Sequence, residues 1–506
     1  MANYGFAIDL RKCIGCHACT IACKAEHQIP IGVNRCWVKT VEQGTFPATR
    51  RLFFPVLCNQ CDDAPCARIC PTNALFKRRD GIVDLHGDAC IGCRACMVAC
   101  PYDQLFIDPN THTAEKCNFC ANRVENELLP ACVSVCPTEC RIFGDLDDPT
   151  SEVARIAHLD AAAVRKPEKN TIPKVYYLGA EASAIQPEVA VRPFIYKEGQ
   201  VILRPLGSPS ADTASPGDAR VDYDVPHVKP WGVDMALYLL TKGIATGTLL
   251  VSLVLPLLYG RELLLTTTIG PALSLLFLLV TTAILIADLE RPERFYYILT
   301  RPNWRSWLVW GTCFLAAQGA MTAVWLAAVW LQLGLVLRLL VWPLAIMSIL
   351  TTCYTGFLFA QGLARDLWQG HLSTVDLLAQ AIAEGAAVLL LVAAAVPDAT
   401  EPGIVRALAM TLVGAMIVHV SLLAVEHLIA PSSTRHRSLA VETFRRGPLA
   451  RLFWGGAMGA AATAIVLTAL SGNLPVALSA AAVFALAGSF AWAYVWVEAG
   501  QSVPLS

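Results

Sequence analysis

The chain of 506 residues has almost no net charge, −1 at neutral pH, and so lacks the basic excess that binding to nucleic acid requires. Its opening stretch, MANYGFAIDLRKC, contains no apolar run of the length a secretory leader needs. That absence argues against reading its cysteines as a disulfide framework, which belongs to oxidising compartments and small secreted chains. Histidines are few, ten in all, and only His419 and His427 fall inside long apolar runs. On one helix these two stand about 12 Å apart by rise, too far to sandwich a single haem iron. No haem is expected.

Cysteine is what the chain has in quantity, twenty residues. Sixteen form four quartets within the first 140 positions. They read CIGCHACTIAC (Cys13, Cys16, Cys19, Cys23), CNQCDDAPCARICP (Cys58, Cys61, Cys66, Cys70), CIGCRACMVACP (Cys90, Cys93, Cys96, Cys100) and CNFCANRVENELLPACVSVCP (Cys117, Cys120, Cys132, Cys136). Closely spaced thiolates wrap one side of an iron–sulfur cubane, and the fourth, usually followed by proline, reaches a neighbouring cluster. Zinc sites favour two ligand pairs with a longer spacer, a different pattern. Four quartets supply ligands for four [4Fe–4S] clusters, and Cys93 at its second position gives no sign of a three-iron cluster. Cys36, Cys140, Cys313 and Cys353 are left over and are expected to be buried small residues.

Charged residues crowd the first 230 positions and long apolar runs fill the rest. This contrast implies an α+β ferredoxin-like iron–sulfur domain over residues 1–185, a linker or arm over 186–230, and an all-α polytopic membrane domain over 231–506. The linker is rich in Pro, Ser, Gly and Asp, and reads as a loose tether or an arm over the cluster domain. Within the first domain, LFKRRDGIVDL (75–85) predicts a hairpin turning at Asp80–Gly81, and Phe53–Leu57 predicts a strand. The like spacing of the first and third quartets suggests duplicated halves.

From Trp231 onward eight apolar segments approach the ~20 residues that cross a bilayer. They fall near 236–259, 266–286, 307–331, 336–360, 373–396, 404–429, 450–471 and 474–497. Small residues recur, as in GAMGAAATA (456–464), which suits close helix contact. An even number of spans puts the clusters and the C-terminus on one side. Eleven basic residues near span ends lie on that side, from Lys229 to Arg451, against Arg261, Arg338 and Arg406 on the other. Setting aside the four arginines between the second and third spans does not change the sign. The positive-inside rule then predicts the clusters on the cytoplasmic face, and the expected membrane is a bacterial inner membrane.

The four quartets in their order, over about residues 1–185, resemble the electron-transfer subunits of molybdopterin enzymes of the dimethyl sulfoxide reductase and polysulfide reductase type. WGVDMALYLLTKGIATG at the first span and DLERPERFYYILTRPNWRSWLVWG between the second and third are similar to the NrfD-type eight-helix anchor of polysulfide reductase. YTGFLFAQGLARDLW at the fourth span adds to that likeness. The resemblance implies a fusion of two chains that are separate in many relatives. It implies that the first and fourth quartets share two clusters toward a catalytic subunit, and that the second and third share two toward the membrane. The implied partners are a molybdopterin catalytic subunit, membrane lipid and quinone, either menaquinone or ubiquinone. No stretch of this chain could host the pterin. The protein is then non-catalytic for the substrate half-reaction but carries the quinone site of an oxidoreductase complex.

Without haem, quinone must exchange electrons with the nearest cluster. The resemblance implies a pocket among the first four helices. Candidate residues are Asp234, Tyr238 and Lys242, spaced by four along the first span, Arg291 where the second exits, and Tyr354 in the fourth. Asp234 or Tyr238 is expected to bond one quinone oxygen and Tyr354 the other. Simple packing competes with that role for the tyrosines, and a salt-bridged structural loop competes for the arginines. Lys242, Glu384, His419, Glu426 and His427 either carry protons or hold helices together by polar contacts. The leading function is electron transfer between a catalytic subunit and quinone, with sulfite oxidation as the favoured half-reaction. Quinol-driven reduction of a sulfur compound or sulfoxide is the alternative, as is a redox-driven proton-translocating subunit of another respiratory complex.

Overall fold

The structure is a computed structural model describing residues 2–44, 46–187, 189–190, 194–197, 200–203, 219–259, 263–396, 401–471 and 474–506. Arg261 and residues 204–218 of the arm lie outside the described residues. Contacts divide the chain into two compact units. The first is Met1–Pro230 with Glu293–Arg305 and Pro504–Ser506; the second is Trp231–Pro292 with Ser306–Val503. The loop between the second and third spans therefore folds with the first unit.

In the first unit, strand Tyr4–Asp9 is buried from Gly5 onward because it has a neighbour on each edge. Arg141–Asp145 pairs with it antiparallel and Val175–Leu178 parallel. Phe6 of this strand packs against Phe119 and Phe143, with ring centroids 5.1 and 5.4 Å apart. A second sheet is antiparallel, with Cys36–Gln43 between Arg50–Leu57 and Arg220–Tyr223. The hairpin expected at 75–85 pairs Leu75–Lys77 with Val83–Leu85, and Gly81 takes the left-handed conformation at its turn.

Short helices follow cysteines: Ala18–His27, Pro65–Ile69, Ala95–Ala99 and Ala131–Ser134. The first and third quartets repeat one backbone. Gly15 and Gly92 both have φ of 69°, and His17 and Arg94, at φ 59° and 58°, both precede a helix. Left-handed backbone is cheap for glycine and strained for other residues. At Gly15 a side chain would also strike the ring of Phe53. The Cys-Ile-Gly-Cys turn thus needs its glycine twice over.

The described end of the arm is not a tether. Arg220–Tyr223 adds an edge strand, and beyond it His227 is clamped between two carboxylates. Its Nδ1 lies 2.7 Å from Asp103 and its Nε2 3.4 Å from Asp224, which also accepts from Trp37 Nε1 at 2.9 Å. Burial opposes the imidazolium, but Asp103 and Asp224 outweigh it and raise its pKa from the usual 6.5 to about 9. A group whose pKa is raised by folding stabilises fully below the unfolded value and loses that contribution as pH climbs through the folded one. The arm should therefore be held most firmly below about pH 6.5 and loosen progressively as pH rises from there through 9. Hydrogen exchange over 220–228, corrected for intrinsic rate, should accelerate across that window in the wild type. It should already be fast, and flat with pH, in His227→Phe. Unchanged wild-type protection would remove the clamp as the arm's anchor.

Among its described residues the second unit holds eight helices long and apolar enough to cross a membrane. They are Val233–Leu257, Leu265–Ala287, Trp307–Trp330, Gly334–Ala360, Ser373–Ala395, Gly403–Ile429, Leu452–Leu470 and Pro475–Gly500. The first and fifth spans touch through glycines: a Cβ on Gly385 would collide with the backbone of Gly247, and one on Gly247 with the carbonyl of Ala381. Small residues allow such close approach, which is how helices gain packing inside lipid. The same closeness sets the Glu384 carboxylate directly over Gly243.

Candidate functional site

Among the described residues no disulfide joins any of the cysteines. The sixteen quartet thiols sort into four sets, and none of the sets is a quartet. Cys13, Cys16 and Cys19 line one cavity with Cys136. Cys90, Cys93 and Cys96 line another with Cys70. Cys117, Cys120 and Cys132 have Cys23 as their neighbour, and Cys58, Cys61 and Cys66 have Cys100. Each set takes three thiols from one quartet and the last thiol of another. First exchanges with fourth, and second with third.

This arrangement fits an iron–sulfur cluster better than one metal ion. Among the described residues no three His, Cys, Asp or Glu donors converge closely enough to hold a single ion. Thiols spread around a cavity are what the corners of a cubane require. Burial pushes the thiols of Cys61, Cys96 and Cys117 up, and that of Cys23 up to about 12. Such thiols stay neutral unless positive charge enters beside them, and ligands must be thiolates. Iron, held by these thiolates, would supply that charge.

Two of the spare cysteines sit among these sets. Cys36 is buried and receives a hydrogen bond from Arg141 Nη2 at 3.0 Å. Cys140 lines the Cys13 cavity, with its sulfur 3.5 Å from that of Cys136. The arginine-rich loop shows a structural role. Arg294 Nη1 donates to the carbonyls of Gly87 and Cys90 at 2.9 and 3.1 Å. Asn303 Nδ2 donates to the carbonyl of Cys70 at 2.8 Å. Both residues brace backbone beside the Cys70–Cys90 cavity.

In the second unit Tyr238, Lys242 and Tyr354 come together. The Tyr238 and Tyr354 hydroxyls are 2.5 Å apart, and Tyr238 is 2.8 Å from Thr355 Oγ1. Lys242 Nζ donates to Thr355 Oγ1 and, at 3.2 Å, to the Thr352 carbonyl. Gly311 of the third span makes room, since any side chain there would enter the Tyr354 ring. The expectation was one quinone oxygen at Asp234 or Tyr238 and the other at Tyr354. Hydroxyls that meet at one point suit one oxygen between them, not two oxygens at opposite ends of a ring. Asp234 is exposed in the first turn of its helix, where a carboxylate favours the helix N-terminus, and Arg291 is half-buried in the loop beyond the second span.

A second polar group gathers His419, Glu426 and His427, named from the sequence, around Asp376 and Gln380, which sequence reasoning missed. Asp376 accepts from His419 Nδ1 at 2.6 Å and from Gln380 Nε2 at 2.7 Å, with all three buried. Asp376, Gln380, Glu426, His427 and Ser373 line one cavity, and Gln380, Lys242 and Glu384 line the next. Glu426 and His427 lie on a π-helical turn, Ala424–Ile429, a distortion that often marks functional positions. As a first-turn acidic residue Asp376 reads like an ordinary helix-start charge, so nothing local singled it out.

Comparison with known proteins agrees with this division of the chain. A family model described as polysulphide reductase, NrfD, matches residues 223–504, and one described as a 4Fe-4S dicluster domain matches residues 49–146. The chain is 44% identical over 202 residues to a tetrathionate reductase subunit of Salmonella typhimurium, covering 39% of this chain and 80% of that one. It is 43% identical over 177 residues to protein NrfC of Escherichia coli, covering 34% and 79%. It is 38% identical over 190 residues to a polysulfide reductase polypeptide of Wolinella succinogenes, covering 36% and 98%.

Proposed function

This protein belongs to the NrfD polysulphide reductase family, and on that premise we propose that it moves electrons between a molybdopterin catalytic subunit and membrane quinone through four [4Fe–4S] clusters. It is an iron–sulfur electron-transfer subunit fused to an NrfD-type multi-pass membrane anchor of reductase complexes. The observation that carries the proposal is the sorting of sixteen thiols into four interlocked sets. A cluster bound in each set would take up and release one electron. The chain's own part is to hold it by thiolates, exclude water and brace the supporting turns.

In the anchor, the Tyr238 and Tyr354 hydroxyls are the donors we assign to one quinone oxygen, with Lys242 acting through them. Quinone reduction consumes two electrons and two protons, so its oxygen needs donors that can be resupplied. Lys242 and Thr355 stand directly behind the tyrosine pair. The count of basic residues favours the cytoplasmic face for the clusters. The tetrathionate reductase and polysulfide reductase relatives both carry sulfur compounds in their names, which favours a sulfur compound as the partner's substrate. Cytoplasmic placement favours sulfite oxidation; the names of the relatives favour reduction.

A second reading, redox-driven proton transfer, draws support from the adjoining cavities of Lys242–Gln380–Glu384 and Asp376–Gln380–Glu426–His427. One preparation tests both. The full chain, purified without oxygen, should carry about sixteen irons and as many labile sulfides, and a menaquinol analogue should reduce its clusters as seen by electron paramagnetic resonance. A chain replete with iron whose clusters ignore quinol would sink the quinone assignment. Proton movement across proteoliposomes during that reduction separates a pump from a simple anchor.

A further inference from the structure

We propose that Arg141 is a fixed counter-charge shared by two of the four clusters, raising the potentials of both. The inference rests on the reading that the four thiol sets hold clusters, and it names a residue that tunes two of them.

Arg141 follows the last quartet and opens the strand Arg141–Asp145, paired opposite Ile8 of the central strand, so its backbone is pinned. Its side chain is only 3% exposed. One nitrogen, Nη2, donates to the sulfur of Cys36, whereas Nε and Nη1 are buried with no hydrogen-bond partner among the described residues. A guanidinium cannot shed its proton to escape burial, and an uncompensated buried charge is costly. The groups close enough to act on it are the sulfurs of Cys36, Cys132, Cys19 and Cys140. Cys19 belongs to the set completed by Cys136, and Cys132 to the set completed by Cys23. Arg141 also lines the first of these cavities. It therefore stands at the junction of two thiol sets, with one nitrogen on the Cys36 sulfur and two left unmatched.

The other cations near the sets differ. Lys116 gives its ammonium to the carbonyls of Val83 and Cys117, and Arg294 gives its guanidinium to those of Gly87 and Cys90. The contacts shown for these two go to backbone carbonyls, and Arg35, near Cys23 and Cys120, pairs through Nη2 with Glu115. Arg141, in contrast, has no carboxylate or carbonyl partner among the described residues.

The charge bookkeeping is simple. A [4Fe–4S] cluster with four thiolates is a dianion when oxidised and a trianion after accepting one electron. No bond is made or broken, and the electron comes from the reductant. A fixed cation stabilises the trianion more than the dianion, so the potential rises. Because Arg141 serves two sets, two potentials should rise together.

Iron and sulfide analysis with potentiometric titration by electron paramagnetic resonance, on the full chain and on Arg141→Gln and Arg141→Lys, tests this. Arg141→Gln should keep its iron and lower two of the four midpoint potentials by at least tenfold in the reduction equilibrium, 59 mV for one electron. The other two should stay in place, and Arg141→Lys should recover most of the loss. Iron lost from Arg141→Gln but kept by Arg141→Lys would also support a need for charge. Four unmoved potentials, or four that shift together, would overturn the proposal. So would iron lost from both variants, which would make the residue a packing element. A wild-type protein far short of sixteen irons would fail the cluster reading itself, and with it this one.

Discussion

Serine at Cys136 is expected to cost the chain one quarter of its iron, and the lost cluster should be the one begun by the first quartet. Cys136 shares a cavity with Cys13, Cys16 and Cys19, not with its own quartet partners. Cys140 stands 3.5 Å away and could stand in as a ligand, so the measurement belongs in a Cys140→Ser background. There, adding Cys13→Ser to Cys136→Ser should remove no further iron, because both residues serve one cluster. Adding Cys132→Ser should instead take the loss to one half, because Cys132 serves another with Cys23. Substitutions in one unit are non-additive and those in separate units add. The reverse ranking by iron analysis would refute the cross-paired sets. Loss of all iron from the single variant would mean that the four sets do not stand independently.

Phenylalanine at Tyr238 and Tyr354 is expected to slow electron exchange between quinol and the clusters by roughly 10²- to 10³-fold, the usual loss when a preorganised donor is removed from a developing oxyanion. The two hydroxyls hydrogen-bond each other, so either single change should come close to the double one. Asp234→Asn should leave the rate within about twofold, since Asp234 is exposed and screened by solvent. Stopped-flow reduction of the clusters by a menaquinol analogue reads all four variants. A tyrosine double variant as fast as wild type would relegate the pair to packing. A large loss in Asp234→Asn would restore that residue to the site.

Features legible in the sequence were those written in short spacings. The cysteine runs, the turn at Asp80–Gly81 and the eight apolar segments each depend on residues within one element, and each is present in the structure. The sharing of thiols was different. The Cys136–Pro137 ending of CNFCANRVENELLPACVSVCP says that Cys136 leaves its quartet, but nothing within the run says that it goes to a cavity built around Cys13, because that depends on strands 4–9 and 141–145 pairing across the unit. The Asp376–His419 pair was hidden for the same reason, as its members lie 43 residues apart on different helices. Tyr238, Lys242 and Tyr354 were visible as polar residues in apolar surroundings. Their convergence on one point, with Asp234 left exposed, depends on how the first and fourth spans cross.

The interlocking of the thiol sets has a consequence for biosynthesis. The sets closed by Cys70 and Cys100 have all their sulfurs once residue 100 has emerged from the ribosome, whereas those closed by Cys23 and Cys136 must wait for Cys132 and Cys136. Metal loading that keeps pace with translation would thus fill the inner pair before the outer. Even the inner pair is not finished at that stage, because Arg294 and Asn303, which steady the turns at Cys90 and Cys70, are made only after two hydrophobic helices have been translated. Maturation of the metal-bearing half is in this way yoked to insertion of the lipid-embedded half.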